Sequence, residues 1–146
     1  MRVVDDGFRD GDVVLVDARS ALARWAIYDH AGLVWFRRGR VYTVEAGFSG
    51  VRVWCGLGYH RWGRHFEIFR PDGATVEDGQ CVIDAALLRL GESYAFWNLV
   101  PILRKMLTRR ALAVQALVCT ELVAYSWEAA GFSLCLAPAA LCSRHR

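Results

Sequence analysis

Three residues that lie far apart in the sequence have the side-chain types of a thiol-dependent catalytic site. Cys119 supplies a nucleophile, His30 a general base, and Glu45 a carboxylate that can orient an imidazole. A cysteine attacks a carbonyl carbon as its thiolate, so it needs a base, and the base needs a third group that fixes its tautomer. These residue types are those of nucleophilic catalysis by a thiol.

The segment that begins at Cys119 has the pattern of an α-helix. Apolar residues recur at three- and four-residue spacing from Leu122 to Ala130, and Gly131 stands where helices commonly end. The pattern predicts a helix that starts at or near Cys119, directly after the apolar run 111–118. The thiol would then lie at the positive end of the helix dipole, and the N–H of Cys119 would be an oxyanion donor.

His30 and Glu45 fall on two predicted strands that are joined by a tight turn. Gly39 supplies the unusual backbone angle that such a turn needs. A turn centred there opposes residues whose numbers sum to about 77, so His30 and Glu45 come close to opposite positions. The two side chains are therefore predicted to meet on one face of a sheet.

Other polar residues compete for a role beside His30. Asp29 and His65 are alternatives to Glu45 as the group that orients the imidazole. Glu121 follows Cys119, but an acidic residue in the first turn of a helix is stabilised by the dipole whatever the function. We therefore predict a structural role for Glu121.

The remaining patterns predict strands followed by helices. Strands are expected over 13–16, 29–36, 41–46, 51–55, 65–70 and 133–136, and helices over 21–27, 81–90, 102–108 and from 119 onward. Strands that precede helices predict an α+β fold, with an antiparallel sheet or small barrel packed against helices. The 146 residues suffice for one domain, residues 1–146.

Composition argues against several classes of protein. The net charge is only +3, with 18 basic and 15 acidic residues, so no nucleic-acid partner is expected. The N-terminus has no signal-peptide core, and no apolar run is long enough to span a membrane. We therefore expect synthesis in the cytoplasm, or delivery without a signal peptide by a phage or a secretion system. The five cysteines are expected to be mostly free thiols.

One loop carries residue types that bind metals or anions. Cys55, His60 and His65 have four-residue gaps between them, which is not a standard zinc spacing, so no metal or other cofactor is predicted. The segment Tyr59–Arg64 interleaves basic and aromatic residues and could hold an anionic substrate or a nucleic-acid strand. An exposed rim near the cleft is the more ordinary interpretation of that segment.

Four pieces of the chain, in this order, resemble the permuted branch of the NlpC/P60 superfamily, the papain-like group typified by YiiX/YebB-type proteins. They are Gly11-Asp12-Val13-Val14-Leu15-Val16, Asp29-His30-Ala31-Gly32-Leu33-Val34, Val44-Glu45-Ala46 with Gly50-Val51, and Cys119-Thr120-Glu121-Leu122-Val123. The segment Gly91-Glu92-Ser93-Tyr94 resembles the family's G-x-x-Y element. Ala31 and Thr120 replace the usual Val and Ser, and 56–64 matches no family element.

The resemblance implies a papain-like fold in which Cys119 is the nucleophile, His30 the general base and acid, and Glu45 the residue that orients His30. It implies hydrolysis of an amide bond, with a cell-wall peptide as the substrate class that the superfamily suggests. The partner is then a small peptide or acyl substrate. Lipid acyl transfer or thioester hydrolysis, as in the related acyltransferase branch, and a non-catalytic binding module that retains the fold are the alternatives.

Overall fold

A computed structural model describes residues 2–3, 7–17, 28–47, 50–57, 65–92 and 111–134. The elements are β1 (Arg2–Val3), β2 (Val13–Asp17), β3 (Tyr28–Arg37), β4 (Arg40–Gly47), β5 (Gly50–Cys55), β6 (Phe66–Arg70), α1 (Val76–Leu87) and α2 (Ala111–Ala129). Strands precede helices in this part of the chain, and the paired strands are antiparallel. The predicted α+β class is therefore confirmed.

Each predicted strand from β2 to β6 is present, within two residues of its expected ends. The short strand β1 lies in a segment where no strand was predicted, and residues 133 and 134 of the strand predicted over 133–136 are not in a strand. Residue ranges 21–27 and 102–108, where two further helices were predicted, lie outside the described residues. Within the described chain, no helix is both long enough and apolar enough to cross a membrane.

The predicted start of α1 at residue 81 is wrong, because the helix begins at Val76. Thr75 caps it by accepting a hydrogen bond from the N–H of Asp78, whose side chain in turn accepts one from the N–H of Thr75. This reciprocal arrangement satisfies two backbone donors that a helix start leaves unpaired. Gly91 follows the helix with a φ of 77°.

The predicted start of α2 at Cys119 is also wrong, because the helix begins at Ala111. The run 111–118 is made of Ala, Leu, Val and Gln, mostly strong helix formers, and contains no Gly or Pro that would end a helix. The helix therefore extends two turns before Cys119. Its other end is as predicted, with Gly131 at a φ of 85° just beyond Ala129.

The strand order in the sheet is β1-β6-β2-β3-β4-β5. The β3–β4 hairpin turns at Arg38 and Gly39, and its register pairs Leu33 with Val44. This is the register predicted from the turn. The pairing between β3 and β4 stops at that residue pair, whereas β4 continues to pair with β5 as far as Gly47. The two strands that carry His30 and Glu45 therefore separate just before those residues.

The two faces of the sheet carry different side chains. One face packs against the helices through a core of residues from β2, β3, β4, β5, α1 and α2, namely Val13, Ala31, Leu33, Val44, Ala46, Val51, Val82, Ile83, Ala86, Cys119, Leu122, Val123 and Trp127. A second, smaller cluster of Val14, Val16, Val34 and Ile68 lies on the opposite face. By the alternation of strand residues, His30 shares the second face with Val34.

The segment before β2 ties the sheet to both helices. Gly11 has a φ of 81°, and a Cβ there would lie 2.9 Å from the Cα of Gly79 in α1. The indole N–H of Trp127 in α2 donates to the carbonyl of Gly11 at 3.1 Å. Glycines at positions 11 and 79 therefore allow a close backbone approach that fixes the helices on the sheet.

Asp12 and Arg70 form a buried ion pair beside this contact. The guanidinium donates to both carboxylate oxygens, at 2.7 and 2.9 Å, and the two residues are 1% and 3% exposed. Asp12 also accepts from the N–H of Arg9, and Arg70 donates to the carbonyl of Gly7. The pair joins the chain before β2 to the end of β6.

Candidate active site

His30 and Glu45 are in direct contact, as the hairpin register predicts. Nε2 of His30 lies 2.9 Å from Oε2 of Glu45, and each side chain is about 10% exposed. The contact follows from the local fold, because the register sets the two residues diagonally on the same face of neighbouring strands. Glu45 therefore holds the imidazole through Nε2, and Nδ1 is the nitrogen that remains for another partner.

The second carboxylate oxygen of Glu45 is bound by Thr43. The hydroxyl of this fully buried residue donates to Oε1 at 2.8 Å. Thr43 is two residues before Glu45 on the same strand, so both side chains point to one face of the sheet. Sequence reasoning missed Thr43, although its position two residues from a predicted site residue on one strand was a usable signal.

Cys119 lies in the interior of α2, eight residues after its first residue. The helix dipole therefore does not activate the Cys119 thiol, since the dipole acts within the first turn of a helix. The predicted oxyanion role of its backbone N–H fails as well, because an interior N–H donates to the carbonyl four residues earlier. Any activation of this thiol must come from the groups that surround its sulfur.

The backbone N–H of Ala31 donates to the sulfur of Cys119 at 3.2 Å. The N–H of Val34 donates to Asp12, on the β2 side of β3. By alternation, the N–H of Ala31 points toward β4, where pairing has already ended. The separation of the two strands thus opens a gap through which a thiol from the helix layer reaches the strand that carries His30.

The environment of His30 favours its protonated form. Burial alone would lower the pKa of His30, but hydrogen bonds with Cys119 and Glu45, together with their negative charges, raise it from 6.5 to about 9. The imidazole is thus protonated at neutral pH, with the Glu45 carboxylate at its Nε2.

The thiol is inaccessible in this conformation. Cys119 is 0% exposed and belongs to the core cluster between sheet and helices, whereas Cys55 and Cys81 are exposed. A substrate carbonyl can reach the sulfur only after groups packed over it move. Nucleophilic attack by Cys119 therefore requires a conformation in which these groups have moved away from the sulfur.

The other candidate residues are placed differently. His65 is exposed at the start of β6, and the Nε2 contact of His30 is to Glu45. Two other predictions concern parts of the chain outside the described residues. These parts are the side chain of Asp29 and the segment 59–64, which includes His60 of the zinc interpretation. In the described part of the chain, no group of three His, Cys, Asp or Glu residues could hold a metal ion.

Comparison with known proteins adds no family to these observations. No model of a protein family matches the sequence, and no curated protein matches it either.

Proposed function

We propose that the protein is a cysteine hydrolase with Cys119 as nucleophile, His30 as general base and acid, and Glu45 as the residue that orients His30. One observation carries the proposal: Nε2 of His30 contacts the Glu45 carboxylate, and the sulfur of Cys119 accepts from the N–H of Ala31, the residue next to His30. Neither Glu45 nor Cys119 is close to His30 in sequence. The fold brings together the strand residue His30, its hairpin neighbour Glu45 and the helix residue Cys119. Their side chains are of the types that serve as a base, an orienting acid and a nucleophile.

The reaction proceeds in two acyl-transfer steps. The Cys119 thiolate attacks the carbonyl carbon and forms a carbon–sulfur bond, and His30 gives its proton to the leaving amine or alcohol as the bond to that group breaks. Water then attacks the thioester while His30 takes one of its protons. The carbon–sulfur bond breaks, the acid is released, and the Cys119 thiolate and the protonated His30 with which the reaction began are restored.

The N–H of Ala31 is the backbone donor that stabilises negative charge at the sulfur. This role differs from that of the oxyanion donor expected from the sequence, the N–H of Cys119, which lies inside a helix. A backbone donor is fixed in place before the reaction, so it needs no reorganisation as charge develops.

We further propose that the chain belongs to the permuted, papain-like branch of the NlpC/P60 superfamily. The order of elements supports this, since the helix with Cys119 follows the strands with His30 and Glu45. An amide bond of a cell-wall peptide is then the first substrate class to test. Cytoplasmic synthesis with release by a phage or secretion system would bring such an enzyme to its substrate.

The proposal is tested with two substrate panels and two variants. Peptidoglycan fragments and lipid esters are each incubated with the wild type, Cys119→Ala and the control Cys81→Ala, which removes an exposed thiol of α1. We expect turnover in the wild type and Cys81→Ala, none in Cys119→Ala, and an acylated Cys119 by intact mass. Turnover of the lipid panel alone would identify the acyltransferase branch. Equal turnover in Cys119→Ala would overturn the hydrolase assignment.

A non-catalytic module is the second candidate, and the complete burial of Cys119 favours it. The two candidates differ in how iodoacetamide labels the three described cysteines. A hydrolase labels fastest at Cys119 near neutral pH, because a thiolate beside an imidazolium reacts where ordinary thiols are protonated. A non-catalytic module labels first at the exposed Cys55 and Cys81 at every pH.

A further inference from the structure

We propose that Thr43 is a positioning residue for the reaction: its hydroxyl holds the Glu45 carboxylate in the orientation that keeps Oε2 on Nε2 of His30. The inference rests on the proposed function for its effect on turnover, although the contact itself can be tested without a substrate. It extends the site from three side chains to four, in the order Thr43, Glu45, His30 and Cys119.

The geometry links these side chains through the two oxygens of one carboxylate. Thr43 donates to Oε1 at 2.8 Å, and Nε2 of His30 lies 2.9 Å from Oε2. With both oxygens engaged, the plane of the carboxylate is fixed on the face of the sheet that carries His30. A hydrogen bond to an ionised acceptor is also stronger than one between neutral groups.

Glu45 needs this support because its side chain is long and only its end touches His30. A glutamate has several rotatable bonds, and ordering them costs conformational entropy. Thr43 is rigid by comparison, since it is β-branched, fully buried and on a paired strand. A buried hydroxyl on a strand is thus a fixed point from which the flexible acid can be held.

The alternative is that Thr43 is merely a β-branched residue that suits a strand. The two roles separate in a pair of variants. Thr43→Val keeps the branched shape and removes the hydroxyl, whereas Thr43→Ser keeps the hydroxyl and removes a methyl group. A strand-forming role favours Val over Ser, and a positioning role favours Ser over Val.

Ser126 offers a matched control. It is another fully buried hydroxyl, and it donates to the carbonyl of Leu122 at 2.8 Å within α2. Ser126→Ala therefore removes a buried hydroxyl hydrogen bond of equal length that does not touch Glu45. Any effect common to Thr43→Val and Ser126→Ala reflects stability and not positioning.

The direct readout is an NMR titration of the His30 ring, assigned among the four histidines with His30→Gln. We expect the pKa of His30 to fall from about 9 toward 6.5 in Thr43→Val, by less than in Glu45→Gln, and to stay near 9 in Thr43→Ser and Ser126→Ala. With p-nitrophenyl acetate as probe, kcat of Thr43→Val should fall about ten- to a hundredfold with KM unchanged.

An unchanged pKa of His30 in Thr43→Val, or a loss in Thr43→Ser as large as in Thr43→Val, would overturn the positioning role. A lowered pKa of His30 in Thr43→Val, in a protein whose Cys119→Ala variant turns over substrate as well as the wild type, has a different meaning. In that case the support of Glu45 by Thr43 stands and the hydrolase proposal fails. The two inferences are thereby tested separately.

Discussion

Two buried ion pairs lie on the same sheet and differ in what their cations can do. Asp12 and Arg70 join the chain before β2 to β6, and His30 and Glu45 join β3 to β4. Both pairs are largely removed from solvent, and in both the carboxylate uses its two oxygens. Their position and hydrogen bonding are therefore similar, and the difference lies in the cation.

Arginine keeps its proton at any pH at which the protein is folded, whereas histidine can release one. The Asp12–Arg70 pair also satisfies its remaining groups with backbone atoms of Arg9 and Gly7. His30 instead interacts with a thiol. The Asp12–Arg70 pair therefore keeps its charges, whereas the cation of the His30–Glu45 pair can release its proton.

The largest expected effect comes from neutralising the acid of the histidine pair. Glu45→Gln should lower turnover by about 10²- to 10⁴-fold, because the imidazole loses the charge that stabilises its cationic form. Urea unfolding at neutral pH should also show a loss of stability, because Glu45 contributes to the stabilisation linked to the raised pKa of His30, so turnover is compared per folded molecule. Turnover within a few fold of the wild type would mean that the His30–Glu45 pair is structural, like the arginine pair.

The matched change in the arginine pair should act on stability and not on chemistry. Asp12→Asn leaves the guanidinium of Arg70 buried without a counter-charge, which typically costs about 3–5 kcal/mol. Urea unfolding measures this loss, and turnover per folded molecule should stay at the wild-type level. A stability equal to that of the wild type would show that the pair does not hold the chain before β2 in place.

The pH dependence of stability also distinguishes the His30–Glu45 pair from the Asp12–Arg70 pair. The pKa of His30 is raised from 6.5 to about 9 on folding, so its stabilising contribution is complete below about pH 6.5 and is lost as the pH rises through about 9. The full loss is at most about 3 kcal/mol. Urea unfolding at several pH values should show this decline in the wild type and a smaller one in Glu45→Gln.

The smallest effect is expected at an exposed pair. Arg89 and Glu92 lie 3.2 Å apart, with side chains 31% and 56% exposed. Glu92→Gln should change the free energy of unfolding by less than about 0.5 kcal/mol, because solvent already screens the two charges. A loss as large as that of Asp12→Asn would mean that burial is not what separates these pairs.

The part of the site that could be read from sequence is the part set by local rules. The turn at Gly39 fixes the β3–β4 register, and the register brings His30 to Glu45. The contact between Thr43 and Glu45 also follows from the alternation of side chains along β4, because residues two apart on a strand share a face. These relations depend on neighbours within one hairpin.

The surroundings of Cys119 could not be read in the same way. The helix start was misplaced because the apolar run 111–118 has no breaker, and nothing local marks where a helix of such residues begins. The donor at the sulfur, Ala31, depends on where β3 and β4 separate, which is a property of the packed sheet. The burial of the thiol likewise arises from the meeting of two layers.

The coupling between Cys119 and His30 is what the proposed function most directly requires. An NMR titration of the His30 ring in the wild type and in Cys119→Ala measures that coupling without a substrate. We predict a pKa of about 9 for His30 in the wild type and a lower pKa in Cys119→Ala, since the variant loses the interactions of Cys119 that raise the pKa of His30. An identical pKa of His30 in both proteins would contradict the proposal that the thiol and the imidazole act as one unit.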